Sequence, residues 1–74
     1  MDKNFCETEL QKYQDIIGNS FTYISDSYTI TILDLECKSI QNPEHSFYIR
    51  VKYKRNDNDT IDYTSIDNFK TYYR

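Results

Sequence analysis

The sequence predicts an α+β domain, in which an N-terminal amphipathic helix packs on a four-stranded antiparallel curled sheet followed by a short C-terminal helical turn. Two observations support this class. Hydrophobic residues recur at helical spacing up to residue 17 and alternate with polar residues from residue 21 onward, and short polar turns separate the alternating stretches. A length of 74 residues accommodates one hydrophobic core, so we treat residues 1–74 as a single domain.

The N-terminal helix is predicted over residues 4–17. Leu10, Tyr13 and Ile17 fall on one side of a helix that starts near Cys6, and this side should face the sheet. Asn4 is the expected N-cap, with Glu7 three residues later. Gly18 is the only glycine of the chain and follows the last apolar residue of the helix, where it can adopt the left-handed conformation that ends helices.

Two strands are predicted next, at residues 21–24 and 28–40. In the second of these, the apolar residues occupy even positions up to Ile32 and odd positions from Leu33 onward. An extra residue in a strand reverses which side chains face the core, so the change of parity predicts a bulge near Ile32–Leu33. A bent strand of this kind allows a small sheet to curl.

The third strand, residues 45–55, alternates throughout, which separates a core-facing set of side chains from an outward-facing set. The fourth strand is expected at residues 60–64 with Ile61 and Tyr63 facing inward, and Ser65 is expected to cap a helical turn over 66–73. The core-facing set of the third strand is Phe47, Ile49, Val51 and Tyr53, and the outward-facing set is Tyr48, Arg50, Lys52 and Lys54.

The composition is that of a folded cytoplasmic protein. Hydrophobic residues make up 38% of the chain and aromatic residues 16%, which is enough for a compact core. The N-terminus has no apolar leader segment and no stretch is long and apolar enough to span a membrane. We therefore expect a cytoplasmic location, and in that setting Cys6 and Cys37 are expected to be free thiols buried as small hydrophobic residues.

Nothing in the sequence indicates an enzyme, a metal site or a cofactor. His45 is the only histidine, and no motif ties it to a serine or cysteine nucleophile. The polar run at 56–62 lacks the glycine of a calcium loop and is better explained as a hairpin tip. Because Gly18 is followed by Asn-Ser-Phe, a phosphate-binding loop is excluded as well.

Charge is distributed unevenly along the chain, whose net charge is −3. Residues 1–37 hold seven acids and two bases, whereas residues 38–74 hold seven bases and five acids. The basic half suggests three interpretations: a solvated strand face, a protein-binding face, or a nucleic-acid-binding face on which tyrosines stack on bases. The candidate binding residues are Tyr48, Arg50, Lys52, Lys54 and Arg55, and an alternative acidic surface comprises Glu7, Glu9 and Asp15.

The segment from Gly18 to Arg74 resembles the small SH3-like barrels common among phage and mobile-element proteins, through the runs GNSFTYI, YTITILDLE, FYIRVKY and SIDNFKTYY. It departs from them in lacking a clear fifth strand, so an open curled sheet and a barrel are both compatible with the pattern. The tyrosine-rich, alanine-free, acidic composition, typical of AT-rich genes, is similar to that of small phage inhibitors of host defence, anti-CRISPR proteins among them.

These resemblances imply a non-enzymatic interaction protein that binds a host or defence-system protein, in the host cytoplasm if a phage encodes it. The alternative is a small β-barrel that binds nucleic acid through the basic and tyrosine-bearing face of the third strand.

Overall fold

A computed structural model describes residues 2–40 and 46–74, and the predicted turn at 41–44 and His45 lie outside the described residues. The predicted α+β architecture is confirmed: a helix is followed by four antiparallel strands and a short second helix. In chain order the elements are α1 (Lys3–Gln11), a 3₁₀ turn (Gln14–Ile16), β1 (Ser20–Thr22), β2 (Thr29–Ile40), β3 (Ser46–Arg55), β4 (Ile61–Ser65) and α2 (Ile66–Tyr72).

The sheet has the order β1-β2-β3-β4, with each strand antiparallel to its neighbour in sequence. Strand β2 is long enough to pair with β1 through residues 29–31 and with β3 over most of its length. The register of β2 on β3 shifts between Ile32 and Asp34, which confirms the predicted bulge. Ile32 is at an even position and Leu35 at an odd one, yet both are buried because the bulge lies between them.

The N-terminal helix is shorter than predicted. Asp2, and not Asn4, is the N-cap, because its carboxylate accepts a hydrogen bond of 2.7 Å from the N–H of Phe5. The helix ends at Gln11, and the chain continues through the 3₁₀ turn to Ile17, which is extended. After this change of direction, the N–H of Gly18, whose φ is +86°, donates to the carbonyl of Ile32. The N–H of Ile32 in turn donates to the carbonyl of Asn19.

The last residues of the chain cover the outer edge of β1. Thr22 and Arg74 exchange two backbone hydrogen bonds, of 2.7 and 2.9 Å, and the N–H of Ile24 donates to the carbonyl of Tyr72. Tyr23 and Tyr73 form an isolated antiparallel bridge between these two pairs. The sequence showed no clear fifth strand, and this short pairing of the last residues with β1 takes that place. Because α2 carries the chain from the β4 edge to the β1 edge, the pairing curls the sheet.

The core lies between the concave face of the sheet and the two helices. The predicted inward set of β3 is confirmed for Ile49, Val51 and Tyr53, which are buried, whereas Phe47 is only half-buried. Phe69 of α2 meets the ring of Phe21 edge-on at a centroid distance of 4.9 Å. The buried core residues are Cys6, Ile30, Ile32, Leu35, Ile49, Val51, Tyr53, Ile66 and Phe69.

The prediction that Ile61 and Tyr63 face inward is wrong, since they are 51% and 45% exposed. The hairpin register explains the difference. The N–H of Arg55 donates to the carbonyl of Thr60, which closes a four-residue loop, and Tyr63 then pairs with Lys52. Paired residues share one face of a sheet, so the outward position of Lys52 fixes the outward position of Tyr63.

The prediction that the cysteines are free thiols is also wrong, because Cys6 and Cys37 form a disulfide. Their Cα atoms are 6.1 Å apart, within the usual range for a disulfide. Sequence position alone could not reveal this proximity, because it requires α1 to lie across the half of β2 beyond the bulge. The bond links α1 to the sheet at the most buried residue of the helix.

Tyrosines cluster where the last residues meet β1. The rings of Tyr23 and Tyr28 stack at 4.9 Å, Tyr53 approaches Tyr73 at 5.9 Å, and the hydroxyls of Tyr28 and Tyr73 are 3.2 Å apart. The guanidinium of Arg55 lies 3.8 Å above the ring of Tyr28. Burial is the main reason that the pKa values of Tyr28 and Tyr73 are raised to about 12.

We expect the cluster to make stability fall at alkaline pH. A folded-state pKa above the ordinary value of about 10 means that the folded protein holds the phenol proton more tightly than the unfolded chain does. The resulting stabilisation is complete below pH 10 and is lost as pH rises toward 12. Melting temperature and phenolate absorbance, measured across this range, should show the loss.

Two phenylalanine variants test the assignment to the cluster. Tyr73→Phe retains the ring but removes a titrating hydroxyl, so its stability should decline less between pH 10 and 12 than that of the parent. Tyr63→Phe removes an exposed hydroxyl outside the cluster and should leave the decline unchanged. Equal declines for the parent and Tyr73→Phe would contradict the assignment.

Candidate interaction surface

The convex side of the sheet, which we call the outer face, carries the predicted binding residues of β3. Cross-strand pairing places Glu36 beside Arg50 and Asp34 beside Lys52. In the described residues both helices contribute their buried side chains to the opposite, core side of the sheet. The outer face comprises Asp34, Glu36 and Lys38 of β2, Tyr48, Arg50, Lys52 and Lys54 of β3, and Ile61, Tyr63 and Ser65 of β4.

Arg50 lies at the centre of the outer face and is held by both neighbouring strands. Its Nε donates a hydrogen bond of 2.7 Å to Oε1 of Glu36, and its Nη2 donates to the same oxygen. From the other side, its guanidinium carbon lies 4.1 Å from the ring centroid of Tyr63. A cation stacked on an aromatic ring and bonded to a carboxylate has a fixed orientation, so Arg50 is a pre-oriented group on this face.

The other outward cations of β3 also lie near carboxylates. Lys54 forms an ion pair of 3.6 Å with Asp59 of the β3–β4 loop, and the backbone of Lys52 lies opposite that of Asp34 in the strand register. Such exposed pairs contribute little to stability. The ion pairs of Arg50 and Lys54 do offset part of the positive charge that the sequence of β3 presents when it is considered alone.

Arg55 does not join the other candidate residues. It belongs to the odd-numbered, core-side set of β3 and stacks on Tyr28. Its Nη2 lies 2.8 Å from Oδ2 of Asp57, and this hydrogen bond is the main reason that the pKa of the Asp57 carboxyl is lowered. Of the five predicted basic and aromatic residues, the structure therefore brings together four: Tyr48, Arg50, Lys52 and Lys54.

A groove with a volume of about 310 Å³ opens on the outer face between β3 and β4. Tyr63, 45% exposed, stands on its β4 side, and Ile61, 51% exposed, lies two residues away on the same strand. The groove is lined by Tyr48, Arg50, Tyr63, Thr64 and Ser65. It combines aromatic rings with a fixed guanidinium, a combination that is suited to packing against another molecule.

The alternative acidic surface is not a continuous one. Glu7 and Glu9 belong to α1, but Asp15 lies beyond the end of that helix in the 3₁₀ turn. Glu9 forms an ion pair of 2.8 Å with Lys12, which removes part of its charge from the surface. The structure thus separates the three acids that the predicted helix over 4–17 would have aligned.

Several residues of the outer face were absent from the predicted site. Ile61 and Tyr63 were expected in the core, and Asp34 and Glu36 were not assigned to the face of β3. The parity change in β2 contained the signal for the two acids, because an inward Leu35 requires outward neighbours on either side. No comparable signal existed for Tyr63, whose orientation depends on the register of the hairpin.

No group of three or more histidine, cysteine, aspartate or glutamate residues in the described part of the chain is arranged to hold a metal ion. Within residues 2–40 and 46–74, no helix combines the length and the apolar character needed to cross a membrane. Comparison with known proteins finds no matching family model, no matching curated protein and no matching solved structure.

Proposed function

We propose that this chain is a small interaction protein without enzymatic activity, which binds another protein through the outer face of its sheet. One observation carries the proposal: two cations of this face, Arg50 and Lys54, form ion pairs with carboxylates of the same chain, whereas Ile61 and Tyr63 remain exposed. Exposed tyrosines beside a pre-oriented arginine are typical anchors of protein interfaces, because they bury large areas at a low cost in conformational entropy.

The second candidate function is nucleic-acid binding through the same face. Affinity for a phosphate backbone comes largely from lysine and arginine side chains that replace condensed counterions. Here Arg50 is bonded to Glu36 and Lys54 is paired with Asp59, so a polyanion would bring its charge close to carboxylates. The net charge of −3 opposes such binding further, and we therefore favour a protein partner.

The partner class that we propose is a host or defence-system protein of a bacterial cell, with this chain as its phage or mobile-element inhibitor. The support is the resemblance in composition to small anti-defence proteins, including the anti-CRISPR group: eight tyrosines, no alanine and a net negative charge in 74 residues. An inhibitor that acts by covering part of its target needs a complementary surface and no catalytic group.

The test compares the parent with the double variant Lys52→Ala, Tyr63→Ala. A protein captured on the immobilised parent from lysate of a bacterium with low genomic GC content is purified, and its affinity for each form is measured. Loss of an anchor tyrosine and a neighbouring cation should cost more than about 2 kcal/mol, a loss of affinity of roughly thirtyfold. Tyr72→Ala is the matched control, because Tyr72 is 46% exposed and lies outside the outer face.

Labelled DNA and RNA oligonucleotides are titrated in parallel at several salt concentrations. Tight binding with a steep dependence on salt would favour the nucleic-acid alternative. If the double variant binds the purified protein as tightly as the parent does, the outer face is ordinary solvated surface. The acidic residues Glu7 and Glu9 would then be the next surface to test.

A further inference from the structure

The sheet has two edges along which the described residues place no neighbouring strand: β4, and the part of β2 beyond its bulge. An open edge presents main-chain N–H and C=O groups that can pair with a strand of another molecule. The outward-pointing donors therefore decide whether strand addition can occur.

Counting along the ladders identifies two of these donors. The main-chain N–H of Arg55 points toward Thr60 of the β3–β4 hairpin. Because N–H directions alternate along a strand, the N–H of Val51 also points toward β4, and the N–H of Lys52 points toward β2. Tyr63 lies opposite Lys52, and Leu35 lies opposite Val51. The N–H groups of both Tyr63 and Leu35 consequently point away from β3, toward the open edges.

Both donors are already occupied by the carboxylate of the preceding residue. The N–H of Tyr63 donates to Oδ1 of Asp62 over 2.8 Å, and the N–H of Leu35 donates to Oδ1 of Asp34 over 2.8 Å. The two bonds lie on opposite edges of the sheet. The Leu35 bond is at the level of Val51 of β3, and the Tyr63 bond is at the level of the next residue, Lys52. The same arrangement thus occurs independently at each edge.

We propose that Asp34 and Asp62 close the two open edges of the sheet to strand addition. Each carboxylate withholds the main-chain donor that an added strand would need. This matters for a chain whose edge strand β4 carries exposed Ile61 and Tyr63, because apolar edge strands are prone to pair with one another. The inference concerns self-association and does not depend on the proposed function.

The test measures self-association of the purified chain by sedimentation over a range of concentrations, with amyloid-dye binding as a second readout. Asp62→Ala releases the Tyr63 donor and should strengthen self-association about tenfold, equivalent to ~1.4 kcal/mol. Asp62→Asn keeps an acceptor oxygen and should behave as the parent does. Asp26→Ala is the control for loss of charge alone, because Asp26 is exposed in the turn after β1.

Two results would overturn the proposal. One is an Asp62→Ala protein that self-associates no more than the parent does at every concentration. The other is equal association of the alanine and asparagine variants, which would assign the protection to charge and not to the occupied donor. Asp34→Ala tests the second edge, and if that change disturbs the bulge and the fold, Asp62→Ala still decides the outcome because it lies on the other edge.

Discussion

Phe69→Ala should destabilise the fold by about 3–5 kcal/mol, because the substitution removes a buried ring and leaves a cavity. Phe69 is 6% exposed, meets Phe21 edge-on and stacks on Tyr73 at a centroid distance of 5.6 Å. It therefore joins α2 to β1 and to the residues that cover the β1 edge. Single domains of this length rarely exceed about 3–5 kcal/mol of stability from their core alone, so the loss should be comparable with the whole contribution of the core.

Urea and thermal unfolding of the variant, followed by circular dichroism, measure this effect. Phe5→Ala is the matched control, because Phe5 is 53% exposed on α1 and its loss should change stability by no more than about 0.5 kcal/mol. Phe47→Ala should fall between the two, since Phe47 is half-buried. If Phe69→Ala has the same melting temperature as the Phe5→Ala control, α2 does not hold the sheet closed as described.

Removal of the disulfide should lower stability by about 3–4 kcal/mol. The bond joins residues 31 positions apart, and closing a loop of that length restricts the unfolded chain by approximately this amount in the chain-entropy description. The double variant Cys6→Ala, Cys37→Ala tests the effect without burying a hydroxyl group at Cys6, which is fully buried. For a domain of this size the loss corresponds to a fall in melting temperature of roughly 15–25 °C.

The measurement is a thermal melt of the parent with and without a dithiol reductant, beside the same pair of melts for the alanine variant. Reductant should lower the melting temperature of the parent to that of the variant and should not affect the variant itself. A parent whose melting is insensitive to reductant would show that the thiols are not bonded. Alkylation of the chain in intact cells would report whether the bond forms there, since disulfides persist in oxidising compartments and are rare in the cytosol.

Local sequence patterns predicted most of the secondary structure. Alternation over residues 45–55 separated buried Ile49 and Val51 from outward Arg50 and Lys52, and the parity change at Ile32–Leu33 located the bulge. Both patterns are local consequences of strand geometry, in which adjacent side chains point to opposite faces. Ser65 was likewise identified as the cap of α2, where its hydroxyl accepts a hydrogen bond of 3.1 Å from the N–H of Asn68.

The candidate site was predicted only in part, because a binding face is assembled from several strands. The sequence of β3 presents a row of cations, and it contains no information on which acids will lie beside them. Register brings Glu36 to Arg50 and Asp34 to Lys52, and it turns Tyr63 outward. The sequence of β3 alone predicts a basic face. In the assembled sheet this face is mixed and combines charged side chains of both signs with exposed apolar ones.

The sequence by itself determined the fold class, the order of the elements and the core side of β2 and β3, because these depend on the period of hydrophobic residues along a short stretch of chain. The tertiary structure decided the disulfide between Cys6 and Cys37, the pairing of Thr22 with Arg74 and the outward position of Tyr63. The first two depend on how distant segments meet, and the third depends on the pairing register that the hairpin loop sets. No local periodicity encodes either of these.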